Sequence, residues 1–223
     1  MIENIKICEK GQHPANDWEV GVMNNWNIRN LILDLKNPNP RESARWDCPP
    51  TNWLKLNFDG ASKGNPGIAG YGVVIRNSIG DFFSHMAIPL GCQSNHVTKA
   101  SATLYGLMLA KDLNLVNIWI EGDSLNIINC LKNTNPPSWT ISNIIAKARK
   151  IINSFQNCFI SHNYREVNGL ADWASNVACG NDRKIIWDSF ATLPADGHEF
   201  VKLDKWKSKQ TCFNYDTVRE LSF

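Results

Sequence analysis

The chain has 223 residues, which suffices for one domain with flanking segments and excludes two large domains. Hydrophobic residues make up 43% and charged residues 20%, an ordinary globular composition that excludes a mostly disordered chain. Because the formal net charge is only +2, any nucleic-acid site must be built from local groups rather than from the charge of the whole molecule.

The sequence predicts three parts: a leader and linker over residues 1–50, a folded domain over 51–180 and a tail over 181–223. In the leader, Trp26–Lys36 has apolar residues at weakly helical spacing. Four prolines between positions 38 and 50 then interrupt regular structure, because proline restricts its own backbone and that of the preceding residue.

The first half of the domain is predicted to be an antiparallel meander of three strands. From Leu54 to Asp59, apolar and polar residues alternate, which is typical of a strand with one buried face. Gly64–Gly67 has the composition of a turn, and Gly70–Arg76 and Asp81–Ile88 are predicted to be the next two strands.

The second half is predicted to alternate helices and strands. Asn95 is expected to cap a helix that runs to about Leu113. Further helices are predicted over Leu125–Leu131, Ile141–Phe155, Gly169–Cys179 and Lys184–Phe190, and strands over Val116–Ile120 and Cys158–His162. Such alternation after a meander predicts an α/β fold, with helices packed on a mixed sheet.

An intracellular location, nuclear or cytoplasmic, is expected. The seven cysteines include no C-x-x-C pair, which favours reduced thiols. Met1–Lys10 lacks the apolar core of a signal peptide, and no apolar stretch reaches the roughly 20 residues of a membrane helix. We therefore expect a monomer without membrane contact.

Three aspartates are the candidate catalytic residues. Asp59 ends the first strand, Asp123 follows the strand over Val116–Ile120, and Asp172 lies in the first turn of a later helix. Converging carboxylates repel each other unless a cation neutralises them, and Mg²⁺ prefers such oxygen ligands. Two such ions would support phosphodiester hydrolysis. Each aspartate also suits an ordinary turn or helix start, so spacing alone leaves both interpretations open.

Three segments carry a resemblance to type 1 ribonuclease H: Leu54–Arg76, Trp119–Ser124 and His162–Ser175. The chain most resembles the plant branch of these domains, which is found in or derived from reverse transcriptases of non-LTR retrotransposons. The resemblance covers about 53–179 and implies a ribonuclease H-like, five-stranded mixed sheet in the order 3-2-1-4-5, flanked by helices. It also implies an endonuclease dependent on Mg²⁺ (or Mn²⁺) that cuts the RNA strand of an RNA–DNA hybrid.

The resemblance implies an Asp-Glu-Asp-Asp site, and the glutamate is missing. Asp59, Asp123 and Asp172 match the three aspartates, which implies both catalytic and metal-binding roles. The family's glutamate lies seven residues before a glycine in the first helix, and here Lys99 stands at that position before Gly106. No register shift restores it, because residues 60–120 contain no glutamate.

The replacement by Lys99 predicts impaired catalysis. It removes an oxygen ligand and adds an ammonium, which three nearby carboxylates would keep charged and which could occupy the place of a metal ion. We expect the fold and weak nucleic-acid binding to survive. Two alternatives remain: an active ribonuclease that uses the three aspartates, with Glu121 as a substitute ligand, or a non-catalytic interaction module or transposon relic.

The expected partner is an RNA–DNA hybrid or a related duplex, recognised through phosphates, shape and 2′-hydroxyls. The candidate nucleic-acid contacts are Gly60, Ser62, Asn65, Asn95 and Arg165. Further candidate phosphate contacts are Lys63, Arg76, Lys147, Arg149 and Lys150, of which the last three are interpreted as a solvated helix face. The nine tryptophans are expected to pack in the core rather than to stack on bases.

Overall fold

The computed structural model describes residues 45–202 and 204. Its strands are β1 (Leu54–Gly64), β2 (Gly67–Arg76), β3 (Phe82–Gln93), β4 (Asn117–Gly122), β5 (Asn157–His162) and β6 (Ile185–Trp187). Its helices are α1 (Asn95–Asp112), α2 (Leu125–Leu131), α3 (Ser142–Ile152) and α4 (Gly169–Cys179), with short 3-10 turns at Arg165–Val167 and Phe190–Thr192 and a further helix from residue 195. The helix predicted over Trp26–Lys36 lies outside the described residues.

The six strands form one sheet in the order β5-β4-β1-β2-β3-β6. Strand β4 pairs in parallel with β1 and β5, and the other pairings are antiparallel. The predicted α/β class and the 3-2-1-4-5 order are confirmed, with β6 added beside β3. In the part of the chain that the structure describes, no helix is long and apolar enough to cross a membrane.

The helix predicted over Lys184–Phe190 is wrong. Ile185–Trp187 instead forms β6, in which Trp187 pairs with His85 of β3. A strand forms here because the outer edge of β3 offers backbone groups that need partners, and local helical spacing does not reveal that edge. The sheet therefore extends past residue 180, the predicted end of the domain.

The two faces of the sheet carry separate cores. Helices α1, α2 and α3 cover one face, where Leu56, Phe58 and Ile120 are buried. Helix α4 covers the other face over Val74 and Ala87. We call these the first and second faces of the sheet.

Strand β1 is buried on both faces, whereas its alternation predicted only one. Lys55, Asn57 and Asp59 all point to the second face and are buried there. The indole Nε1 of the buried Trp46 donates to Asn57 Oδ1 at 2.8 Å, so a residue of the predicted linker covers this strand.

Ion pairs continue this buried polar layer, which we call the second-face network: Trp46, Lys55, Asn57, Arg76, Glu121 and Asp204. Lys55 Nζ lies 2.8 Å from Glu121 Oε1, and Arg76 Nη1 lies 2.7 Å from Asp204 Oδ2. Arg76 is buried and paired with Asp204, so it is not available as the phosphate contact that the sequence suggested.

Two smaller expectations are also corrected. Ser94, not Asn95, is the N-cap of α1, since its hydroxyl accepts from Val97 N at 3.4 Å. Trp139 does not pack in the core, because 88% of its surface is exposed.

Candidate functional site

The pairing of β1 with β4 brings the first two aspartates together. Phe58 is in register with Gly122, the last residue of β4, so Asp59 in the middle of β1 lies beside Asp123 just past β4. The prediction that Asp59 ends the first strand is wrong, because β1 continues to Gly64 through its pairing with β2. Strands in a sheet are about 4.8 Å apart, which leaves the two carboxylates close. Sequence spacing suggested this meeting, and the parallel register produces it.

Gly60 lets the start of α1 approach β1 next to Asp59. A Cβ at Gly60 would lie 2.6 Å from backbone atoms of both Thr98 and Lys99, a distance that no side chain tolerates. Helix α1 can therefore lie directly against β1, and Lys99 in its first turns reaches the carboxylates. The glycine is needed for this close approach, which makes it a positioning residue.

Lys99 bridges the two aspartates. Its ammonium donates to Asp59 Oδ1 and, at 2.6 Å, to Asp123 Oδ1. Asp59 Oδ1 also accepts from Gly60 N at 2.8 Å. The Lys99 side chain is 17% exposed, so this cation lies at the mouth of the site rather than in the core.

The electrostatics of the bridge follow from burial and charge. Burial opposes the charge on Lys99, but attraction by Asp59 and hydrogen bonds to Asp123 and Asp59 outweigh it and raise the pKa of the lysine. Burial raises the pKa of Asp59 to about 7, and Lys99 works against that rise. The ammonium thus favours the charged form of a buried carboxylate, as does the hydrogen bond from Gly60 N.

The third aspartate is held by a different cation. Asn168 Nδ2 donates to Phe58 O at 2.9 Å, which fastens the start of α4 to β1. One turn later, Asp172 Oδ1 accepts from Arg165 Nη2 at 2.7 Å and from Nε at 3.2 Å. The hydrogen bond and the charge of Asp172 raise the pKa of Arg165, which is 72% exposed.

The donor set does not fit the pair of Mg²⁺ ions that the resemblance implies. Asp59 and Asp123 are engaged by Lys99, and Asp172 is engaged by Arg165. Within residues 45–202 and 204, no group of three or more His, Cys, Asp or Glu side chains is arranged to hold a metal ion. Side-chain cations thus contact all three aspartates.

Glu121 lies near the site but is engaged elsewhere. Its Oε1 accepts from Lys55 and, at 3.1 Å, from Asn57 Nδ2, and its Oε2 accepts from Ser161 Oγ at 3.2 Å. These contacts place Glu121 in the second-face network rather than beside Asp59 as a substitute ligand. Sequence reasoning missed this role, since the only available signal was the run of polar residues on β1.

The residues predicted to contact nucleic acid differ in their solvent exposure and in the hydrogen bonds they already make. Asn65 Oδ1 accepts from Asn95 N at 3.0 Å, which ties the β1–β2 turn to the start of α1, and both residues are exposed. The Ser62 hydroxyl lies 2.7 Å from Gln93 O. Gly60 is buried and Arg165 is exposed. Asn168, which sequence reasoning did not select, anchors the helix that carries Asp172.

Comparisons with known proteins point to one family. A family model described as reverse transcriptase-like matches residues 57–178. The chain is 30% identical over 176 residues to a candidate ribonuclease H protein of Arabidopsis thaliana, covering 79% of this chain and 28% of that protein. It is 31% identical over 124 residues to ribonuclease HI of Halobacterium salinarum, covering 54% of this chain and 61% of that protein. The chain thus spans less than two thirds of either relative.

Solved structures show the same likeness. The crystal structure of RNase H1 from Halobacterium salinarum superposes with a TM-score of 0.55 and 27% identity, covering 57% of this chain and 98% of that one. LC11-RNase H1 in complex with an RNA/DNA hybrid gives a TM-score of 0.54 and 26% identity, covering 57% of this chain and 96% of that one.

Proposed function

The chain belongs to the reverse transcriptase-like family of ribonuclease H-like domains, and from this premise we propose that it binds RNA–DNA hybrids while its hydrolytic activity is impaired. The observation that carries the proposal is the Lys99 ammonium between Asp59 and Asp123.

Impairment follows from what an ammonium can and cannot do. It offsets one of two negative charges and lies between two carboxylates that would otherwise repel each other, so it stabilises the folded site. It offers no open coordination position at which a water could be activated or a leaving oxygen stabilised, which are the tasks of metal ions in phosphodiester hydrolysis. Lys99 therefore preserves the architecture of the site without its chemistry.

Hybrid binding is supported by the fold and by the surface around the site. The related LC11 enzyme was solved with an RNA/DNA hybrid. Here the exposed Arg165 lies within electrostatic reach of Asp59, and the exposed Asn65 and Asn95 are joined at the start of α1, the helix that carries Lys99. We propose that the hybrid lies across the carboxylate site, with phosphates near Arg165 and the minor groove near Asn95.

The test measures binding and cleavage on the same labelled hybrid. We expect the wild-type chain to bind with an affinity that falls as salt rises, and to leave the RNA strand intact in Mg²⁺ or Mn²⁺. Lys99→Glu restores the fourth carboxylate and should raise cleavage above the wild-type level, with Lys99→Gln as the control that removes charge without adding a ligand. Robust wild-type cleavage would overturn the proposed impairment, and a wild-type chain that binds no hybrid would favour the non-catalytic interaction module.

A further inference from the structure

An exposed tryptophan lies outside the carboxylate site, in the loop that leads into a helix with two exposed lysines. Trp139 is in the loop between α2 and α3 and is 88% exposed, more than any other large hydrophobic residue that the structure describes. A lone exposed apolar side chain is ordinary on a protein surface, so the exposure of Trp139 points to a partner only together with the groups around it.

The backbone under Trp139 is held firmly. Ser142 Oγ donates to Trp139 O at 3.0 Å, and Ile141 N donates to Ser138 O at 3.1 Å. The hydroxyls of Ser138 and Thr140 lie 2.9 Å apart, and two prolines precede the turn. These hydrogen bonds hold the backbone of the loop at Trp139.

Arg149 braces this loop from the helix that follows it. Its Nε donates to Cys130 O at 2.9 Å and its Nη2 donates to the same carbonyl, in the last turn of α2. The guanidinium satisfies a carbonyl at a helix end and ties α3 to α2 on either side of the loop. Arg149 is thus a positioning residue, not a phosphate contact.

The charge around Trp139 points to a polyanion. Residues 124–165 contain five lysines or arginines and no aspartate or glutamate, although the chain as a whole has a net charge of only +2. Lys147 and Lys150 are exposed one turn apart on α3. Arg165 is paired with Asp172 and Arg149 is bonded to Cys130 O. Lys147 and Lys150 make no ion pair within the described residues, which favours their contact with phosphates.

The surroundings of the indole narrow the class of partner. The neighbouring exposed residues Asn133, Thr134 and Asn135 are polar, so Trp139 is a single aromatic ring and not the centre of an apolar patch. A protein interface core is built from several apolar residues, whereas one aromatic ring suffices to stack on one base.

We propose that Trp139 stacks on an unpaired nucleotide next to a bound hybrid, with Lys147 and Lys150 on its phosphates. Inside a duplex both faces of a base are covered by its neighbours, so only an unpaired or terminal base offers a free face. Helix α2 begins just after Asp123 and has seven residues, so the loop starts about 10 Å from the carboxylate site by helix rise.

This inference rests on the proposed hybrid binding, and its test separates the two. Fluorescence anisotropy compares a blunt hybrid with the same hybrid carrying a short single-stranded extension. We expect the wild-type chain to prefer the extended hybrid by about tenfold, the scale of one stacked base. Trp139→Ala should abolish that preference and leave blunt-hybrid affinity nearly unchanged, and Trp139→Phe should retain most of it.

Two further variants complete the design. Phe83→Ala removes another exposed aromatic ring, on β3, and should leave the preference intact. Replacing Lys147 and Lys150 together by Gln should weaken binding to the extended hybrid. It should also reduce the slope of log affinity against log salt concentration by about one to two. Equal wild-type affinity for both hybrids, or a preference that survives Trp139→Ala, would overturn this inference while hybrid binding stands; no binding to either hybrid would overturn both proposals.

Discussion

Lys55 and Lys99 both contact carboxylates, but the two regions use the lysine differently. Lys55 is fully buried in the second-face network, 2.8 Å from Glu121 and 3.7 Å from the centre of the Trp119 ring. Burial lowers its pKa despite the attraction of Glu121. Lys99 lies at the mouth of the site between two carboxylates, and its pKa is raised. Lys55 thus contributes to the buried interior of the fold, whereas Lys99 lies at the candidate functional site.

Among the substitutions considered, breaking the buried pair of Lys55 and Glu121 should lower the free energy of unfolding most. Lys55→Ala leaves Glu121 buried without its cation, so we expect the free energy of unfolding to fall by about 3–5 kcal/mol. Urea denaturation measures the change, with Lys63→Ala, an exposed lysine on the same strand, as the matched control expected to stay within about 0.5 kcal/mol. A loss equal to that of the control would show that the second-face network is not a stabilising element.

Removing Lys99 should lower the free energy of unfolding by less than removing Lys55 does, and the size of this loss should depend on pH. Lys99→Met leaves Asp59 buried without its ammonium, and we expect a loss of about 2–3 kcal/mol at pH 8. Because the folded-state pKa of Asp59 is raised above its ordinary 3.8 to about 7 and rises further in the variant, the carboxyl can take up a proton at pH 5.5. Stability of the variant should therefore fall as pH rises from about 4 to 8.

Denaturation midpoints across that pH range test the sign, with Lys99→Arg as the variant that keeps the charge. A Lys99→Met protein that gains stability with rising pH would contradict the role given to the ammonium.

His85 makes the second face sensitive to acid. Neither ring nitrogen has a hydrogen-bond partner within the described residues, and burial, with help from the charge of Arg76, lowers the pKa of His85 to about 3. The unfolded state therefore binds more protons between pH 6.5 and 3, so stability is present above this range and is lost as pH falls through it. The expected loss from pH 7 to pH 5 is about 2 kcal/mol.

His85→Leu removes the titrating ring, and its midpoint should vary less with pH in thermal denaturation than that of the wild-type chain. An identical pH dependence in both proteins would assign the effect to other groups.

The smallest effect on stability is expected at Arg165. Its ion pair with Asp172 is exposed, so Arg165→Ala should change the free energy of unfolding by about 1 kcal/mol at most. If Arg165 also contacts a phosphate, the same variant should lower the salt slope of hybrid binding by about one. An unchanged slope would remove Arg165 from the proposed interface.

The sequence was sufficient for the meander and the strand order, and it placed Lys99 among three carboxylates, of which the ammonium contacts two, Asp59 and Asp123. These follow from local alternation and from motifs whose order is specific to the family. The pairing of Asp172 with Arg165 could not be derived, because it depends on how a short turn places a flexible side chain. Nor could burial of Lys55 be derived, since an alternating strand looks the same whether its polar face meets water or Trp46.

The most direct test is calorimetric titration of Mn²⁺ into the wild-type chain and into Lys99→Glu, with circular dichroism to verify that both are folded. If the ammonium holds the cation position, the wild-type chain should show no saturable binding in the range where Lys99→Glu does, or bind at least tenfold more weakly. Wild-type binding as tight as that of Lys99→Glu would contradict the account, because metal and lysine could then share the carboxylates.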